Sequence, residues 1–142
     1  MDGEEIRSPH AVRPWQHVLE PLSGYLLLAE KLMQGEDRFA DGWNFGPYVA
    51  GATTVSQIID LFYKIWGEGK AEYDKEAPKL HEAAFLTLSS EKAMRELGWK
   101  STWGLLQNID RTANWYKEFY AGADARELTM ADINAYMEQI EY

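Results

Sequence analysis

Residues 13–21 read RPWQHVLEP, and they run directly into LSGYLLLAEKLM, residues 22–33. The second part has the spacing of a packed helix. Leu22, Leu26, Ala29 and Met33 recur every three or four positions, with Tyr25 and Leu32 beside them. Pro21 suits a first turn, where its missing N–H would have had no intrahelical partner. A helix is therefore expected from Leu19 to a stop near Gly35. Ahead of it, an arginine, an indole, an amide and an imidazole (Arg13, Trp15, Gln16 and His17) fall within five positions. Helix formation asks for none of them. Such a crowd of specific groups held against a helix start lines a ligand more often than a core, and it marks the first candidate site.

Outward from this stretch, the pattern alternates helices with short apolar runs. Trp43 to Phe45, bounded by Gly42 and by Gly46-Pro47, reads as a buried strand ending in a turn. Thr54 and Gln57 have capping-box spacing and open a helix whose apolar face is Val55, Ile58, Ile59, Phe62, Ile65 and Trp66, ending at Gly67 or Gly69. Ala84 to Leu88 reads as a second strand, after which Ser89 caps a short helix to Leu97 and Gly98. Leu105, Leu106, Ile109, Ala113, Tyr116 and Phe119 mark a longer helix. Thr129 with Asp132 reads as an N-cap before Ile133, Tyr136 and Ile140. There are no internal repeats, and the one linker-like piece is residues 121–125.

Composition bounds the function. At 142 residues and 46% hydrophobic content, one domain spanning residues 1–142 is expected, with a core worth burying. The net charge of −9 repels a phosphate backbone, and no basic stripe interleaves with the aromatics, which argues against a nucleic-acid partner. The absence of cysteine excludes disulfides and thiolate metal sites and suits a reducing, cytoplasmic setting. No run approaches the length of a membrane span, so no membrane association is expected. The three histidines, His10, His17 and His81, show no HxxxH or HExxH pairing, and Ser56 lies outside any GxSxG context.

The string IRSPHAVRPWQHVLEPLSGYLLLAEKL, residues 6–32, resembles the opening of the C-terminal half of CDP-glucose 4,6-dehydratases, a family of extended short-chain dehydrogenase/reductases. The resemblance resumes at WNFGP (43–47), at HEA (81–83) with the following LTLSSEKAMRELGW (86–99), and at TANWY (112–116). It covers nearly the whole chain up to about Tyr120. Residues 127–142 are similar, less specifically, to the family's terminal helix. The resemblance implies a mixed, helix-rich α/β fold: the substrate-binding part of an extended enzyme of this class, without its Rossmann dinucleotide-binding unit. In the complete enzymes NAD oxidises the hexose at carbon 4, water leaves across carbons 5 and 6, and the hydride returns to carbon 6. By the same resemblance, Arg13 contacts the substrate pyrophosphate, a role suited to a planar, permanently charged fork of donors. Asn44 reaches the sugar-nucleotide phosphates, and His81 and Glu82 lie on a loop over the nucleotide. Gln16 and His17 complete the substrate-binding set, the histidine either donating to a phosphate or satisfying a carbonyl.

The chain also departs from the family's pattern. Residues 48–52 read YVAGA where an acidic loop is expected, and Ser89 stands where the family has an aspartate. No GxGxxG or GxxGxxG occurs, and no tyrosine has a lysine four residues on. The chain is therefore expected to hold no NAD and to be inactive alone while binding CDP or a CDP-sugar. The competing expectations are a non-catalytic homo-oligomeric interaction protein, or a subunit that completes a separate Rossmann chain in trans. The run Leu26, Leu27, Leu28 makes the first helix apolar around much of its circumference, and a homodimer or higher oligomer is expected on that ground.

Overall fold

The computed structural model describes residues 6, 8–47, 53–67, 69, 71, 73 and 83–140. The apolar spacing that opens at Leu22 produces helix α1, Leu19–Met33, which closes where Gly35 takes φ +80°. A short 3-10 turn, Asp37–Phe39, follows. The expected capping box forms: the Gln57 N–H donates to Thr54 Oγ1 (3.3 Å) while Gln57 Oε1 accepts from the Thr54 N–H (3.0 Å). It starts α2, Val55–Trp66, which Gly67 ends at φ +96°. Helices α3, Leu105–Tyr120, and α4, Ala125–Met137, complete the helical part. Strand β1, Val12–Arg13, pairs antiparallel with β2, Thr53–Thr54, with Val12 opposite Thr54 and Arg13 opposite Thr53. The fold is thus mixed and helix-rich, as expected, and this two-stranded ribbon is its sheet among the described residues.

Four local expectations are corrected. Trp43 to Phe45 is not a strand. Side chains occupy the backbone there: Gln16 Nε2 donates to the Phe45 carbonyl (2.9 Å), and Ser90 Oγ accepts from the Gly46 N–H (2.7 Å) and donates to the Gly46 carbonyl (3.0 Å). Residues 84–88 form no strand either. A single parallel bridge joins Phe85 to Val12, with the Val12 N–H donating to Ala84 and the Leu86 N–H to Val12. Ser89 does not cap the next helix, whose wide π-helical turn spans Ala93–Leu97 without a side-chain cap bond. Finally, α4 begins earlier than expected. Asp124 accepts from the Arg126 and Glu127 N–H groups, whereas Thr129 lies inside the helix and donates to the Ala125 carbonyl.

Packing explains why α1 sits where it does. Its inner side, through Leu27 and Leu28, covers a core of Phe39, Phe45, Ala93, Leu97 and Trp99, with Trp43 against it. Gly24 gives Phe45 room, since a Cβ there would fall 2.2 Å from the ring. The N-terminal turn of α1 carries Glu20, which is completely buried. Its carboxylate accepts from the Trp103 N–H (2.6 Å), the Thr102 N–H (2.9 Å) and the Tyr136 hydroxyl (3.0 Å). Nearby, Trp99 Nε1 donates to Ser23 Oγ (2.9 Å). One side chain therefore ties α1 to the segment before α3 and to α4. The opposite side of α1 is uncovered: Leu22, Tyr25, Leu26, Leu32 and Met33 are exposed, Leu26 by 73% and Met33 by 89%. These positions recur at helical spacing and form one apolar stripe along the helix.

Candidate functional site

The ribbon and the first turn of α1 distribute the residues of the RPWQHV stretch. Arg13, in β1, is half-buried, and its Nη1 donates to the carbonyls of Val12 and Ala83, both at 2.8 Å. Trp15 is fixed by its indole N–H, which donates to the Thr53 carbonyl across the ribbon (3.1 Å). Gln16 is held by its bond to Phe45, which leaves its buried Oε1 without a hydrogen-bond partner. His17 is buried. Its Nδ1 accepts from the Leu19 N–H (3.3 Å), which puts the ring proton on Nε2. The ring meets Trp103 edge-on at 5.1 Å, and Trp103 meets Tyr136 in the same way at 4.9 Å.

Gln16 and His17 share a cavity of about 430 Å³ with Thr112, Trp115 and Tyr116 of α3 and Asp132 of α4. Asp132 is buried, accepts from Arg111 Nη1 (3.3 Å), and places Oδ2 3.8 Å from His17 Nε2. Arg13 does not line this cavity, and Asn44 lies exposed beside the buried Phe45. The structure therefore brings Gln16 and His17 together and places Arg13 and Asn44 elsewhere. His81 and Glu82 lie outside the described residues, as does the departing segment 48–52. Among the described residues no cluster of potential metal ligands occurs, and no helix is long and apolar enough to cross a membrane.

Sequence reasoning did not assign Thr112, Trp115, Tyr116 or Asp132 to a site. The signal was present in the first three, because positions 112, 115 and 116 fall on one helical face. Asp132 carried none, since its place in the cavity depends on how α4 packs.

Burial lowers the pKa of His17 below the ordinary 6.5, against the opposing pull of Asp132 and then Glu20. The folded chain thus binds fewer protons at this site than the unfolded chain. The stabilising contribution is complete above the unfolded value of 6.5 and is lost as pH falls through it toward the lower folded value. Urea midpoints measured above and below pH 6.5 should fall on the acid side, and His17→Gln should flatten that slope. An unchanged slope in the variant would assign the loss to other groups.

No protein-family model matches the chain. Individual proteins do. The chain is 40% identical over 132 residues to a CDP-glucose 4,6-dehydratase of Salmonella typhimurium, a match covering 93% of this chain and 37% of that protein. It is 28% identical over 112 residues to a bifunctional UDP-glucose 4-epimerase and UDP-xylose 4-epimerase of Pisum sativum, covering 78% of this chain and 31% of the relative. It is also 28% identical over 128 residues to a UDP-glucose 4-epimerase of Streptococcus mutans, covering 88% and 37%. The chain spans about a third of the length of these relatives.

Proposed function

Because this chain belongs to the extended short-chain dehydrogenase/reductases and corresponds to a C-terminal part of them, we propose that it is the nucleotide-sugar-binding portion of a CDP-glucose 4,6-dehydratase. The 40% identity over 93% of the chain carries this reading. Arg13 then anchors the diphosphate from β1, with Asn44, His81 and Glu82 on the nucleotide and Gln16 and His17 completing the substrate-binding set. The chain does not turn over alone, because its sequence has neither the glycine fingerprint that lays a helix end against a dinucleotide nor a Tyr-x-x-x-Lys couple. NAD belongs to the complete enzymes of the family, and a cytoplasmic setting accords with the absence of cysteine. Arg13→Lys should weaken CDP binding about tenfold, since an ammonium cannot reproduce a two-pronged contact. Equal affinity in calorimetric titrations of variant and parent would remove Arg13 from the ligand.

The exposed stripe of α1 favours a second reading, in which the chain works through association with another polypeptide. The associate is either a second copy or a dinucleotide-binding chain of the same family completed in trans. Sedimentation equilibrium at micromolar concentration should give a mass above the 16.3 kDa of one chain. Leu26→Lys should return the mass to that value. A monomer in the parent would exclude the self-associating form of this reading.

A further inference from the structure

The exposed stripe of α1 has a finer period than amphipathicity alone requires. Val18, Leu22, Tyr25, Ala29 and Leu32 are all exposed and follow one another at intervals of four, three, four and three positions, the seam of a helix that packs along a second helix. No charged side chain falls on this seam, and Leu26 and Met33 flank it on one side. Val18, Leu22, Tyr25, Leu26, Leu32 and Met33 together expose on the order of 700 Å², comparable with the roughly 800 Å² that each partner contributes to a stable interface.

Two features point to a second copy of α1 as the helix that covers it. The first is side-chain size. Run antiparallel about a two-fold axis, the seam sets Leu22 against Leu32 of the second copy and Tyr25 against its Ala29, so the bulkiest position meets the smallest, while Glu30 and Lys31 stay off the contact. The second feature lies at the two ends of the helix. The N-terminal end adjoins the cavity of about 430 Å³, whose wall includes Val18 and Leu19 with Trp115 and Tyr116 of α3. The C-terminal end carries Met33, 89% exposed. Antiparallel pairing brings each Met33 over the first turn of the other α1, at the mouth of that cavity, and a flexible thioether suits an apolar space edged by aromatic rings. A two-fold axis makes both contacts at once. The anchor matters, because a 15-residue helix supplies only about two heptads.

We propose that two copies of this chain pair through antiparallel α1 helices, each inserting Met33 into the other's cavity beside Trp115 and Tyr116. The proposal rests on the reading that the chain associates through α1, and deepens it by naming the partner, the register and the anchor.

The chain has no cysteine, so introduced ones report the register cleanly. Leu22→Cys and Leu32→Cys chains are prepared separately, mixed, and oxidised in air. The proposal expects a disulfide-linked dimer in the mixture and none from either variant alone, because about 15 Å along the axis separates each position from its own counterpart. Met33→Ala, at a position too exposed to disturb folding, should weaken the dimer about tenfold in sedimentation equilibrium. The Met33 methyl resonance should also move on dilution, as the side chain leaves the aromatic rings. In a chain that sediments as a dimer, absence of the mixed disulfide, self-linked dimers of either variant alone, or a Met33→Ala dimer as tight as the parent would overturn the proposal while leaving association through α1 standing. A parent chain that stays monomeric would remove both.

Discussion

Replacing Glu20 with alanine is expected to cost the chain about 4 kcal/mol, a large share of the stability of an ordinary domain. The carboxylate is completely buried and accepts three hydrogen bonds, two from the backbone of Thr102 and Trp103 and one from Tyr136. Its removal strands those donors away from water, at about 1–3 kcal/mol for each group left unsatisfied, and leaves a void among Trp103, Tyr136 and the first turn of α1. Glu20→Gln keeps the volume but turns its NH₂ group toward the Thr102 or the Trp103 N–H, neither of which can accept, so it should fall between the parent and the alanine variant. The Tyr136 phenol, whose pKa is raised chiefly by burial, stays protonated and donating throughout the neutral range. Urea denaturation of the three chains checks the order. A glutamine variant as stable as the parent would show that the carboxylate does not hold α1 to α4.

The second large effect is expected at Gly24, where two contributions of opposite sign compete. Alanine in a helix interior gains about 1 kcal/mol over glycine. The new methyl carbon, however, would lie 2.2 Å from Phe45 Cδ1 and 2.5 Å from Cε1. Phe45 cannot swing away cheaply, because it is buried with Trp99 edge-on at 5.1 Å and Tyr25 edge-on at 5.5 Å. Overpacking of this kind costs about 3 kcal/mol, so the clash wins and Gly24→Ala should lose about 2 kcal/mol net. Gly42→Ala is the control, since a methyl group there meets nothing within 4 Å. Equal denaturation midpoints for the two variants would mean that the Phe45 ring relocates freely.

The helices were legible because their signals are local. The stripe from Leu22 to Met33, the Thr54 and Gln57 box and the glycine stops at Gly35 and Gly67 all act within one or two turns. Trp43 to Phe45 was misread because an apolar run can satisfy its backbone in more than one way. Here Gln16 and Ser90, from 29 and 44 positions away, take the bonds that a neighbouring strand would have taken. An acid such as Glu20 in a first helical turn carries no local sign of burial. Its role appears only when residues 82 and 83 positions on fold against it. The candidate site divides in the same way. The RPWQHV motif could be noticed in sequence, but the separation of Arg13 from the cavity of Gln16 and His17 follows from the turn between β1 and α1, which no periodicity encodes.

Isothermal titration of the chain with CDP-glucose, with CDP and with GDP as comparison ligands, tests the nucleotide-sugar reading most directly. Saturable binding of both cytidine ligands, with GDP markedly weaker and Arg13→Lys weakened toward both, is the expected result. Heat of dilution alone for every ligand, from a chain whose circular dichroism shows it folded, would contradict the reading and leave association through α1 as the function to pursue.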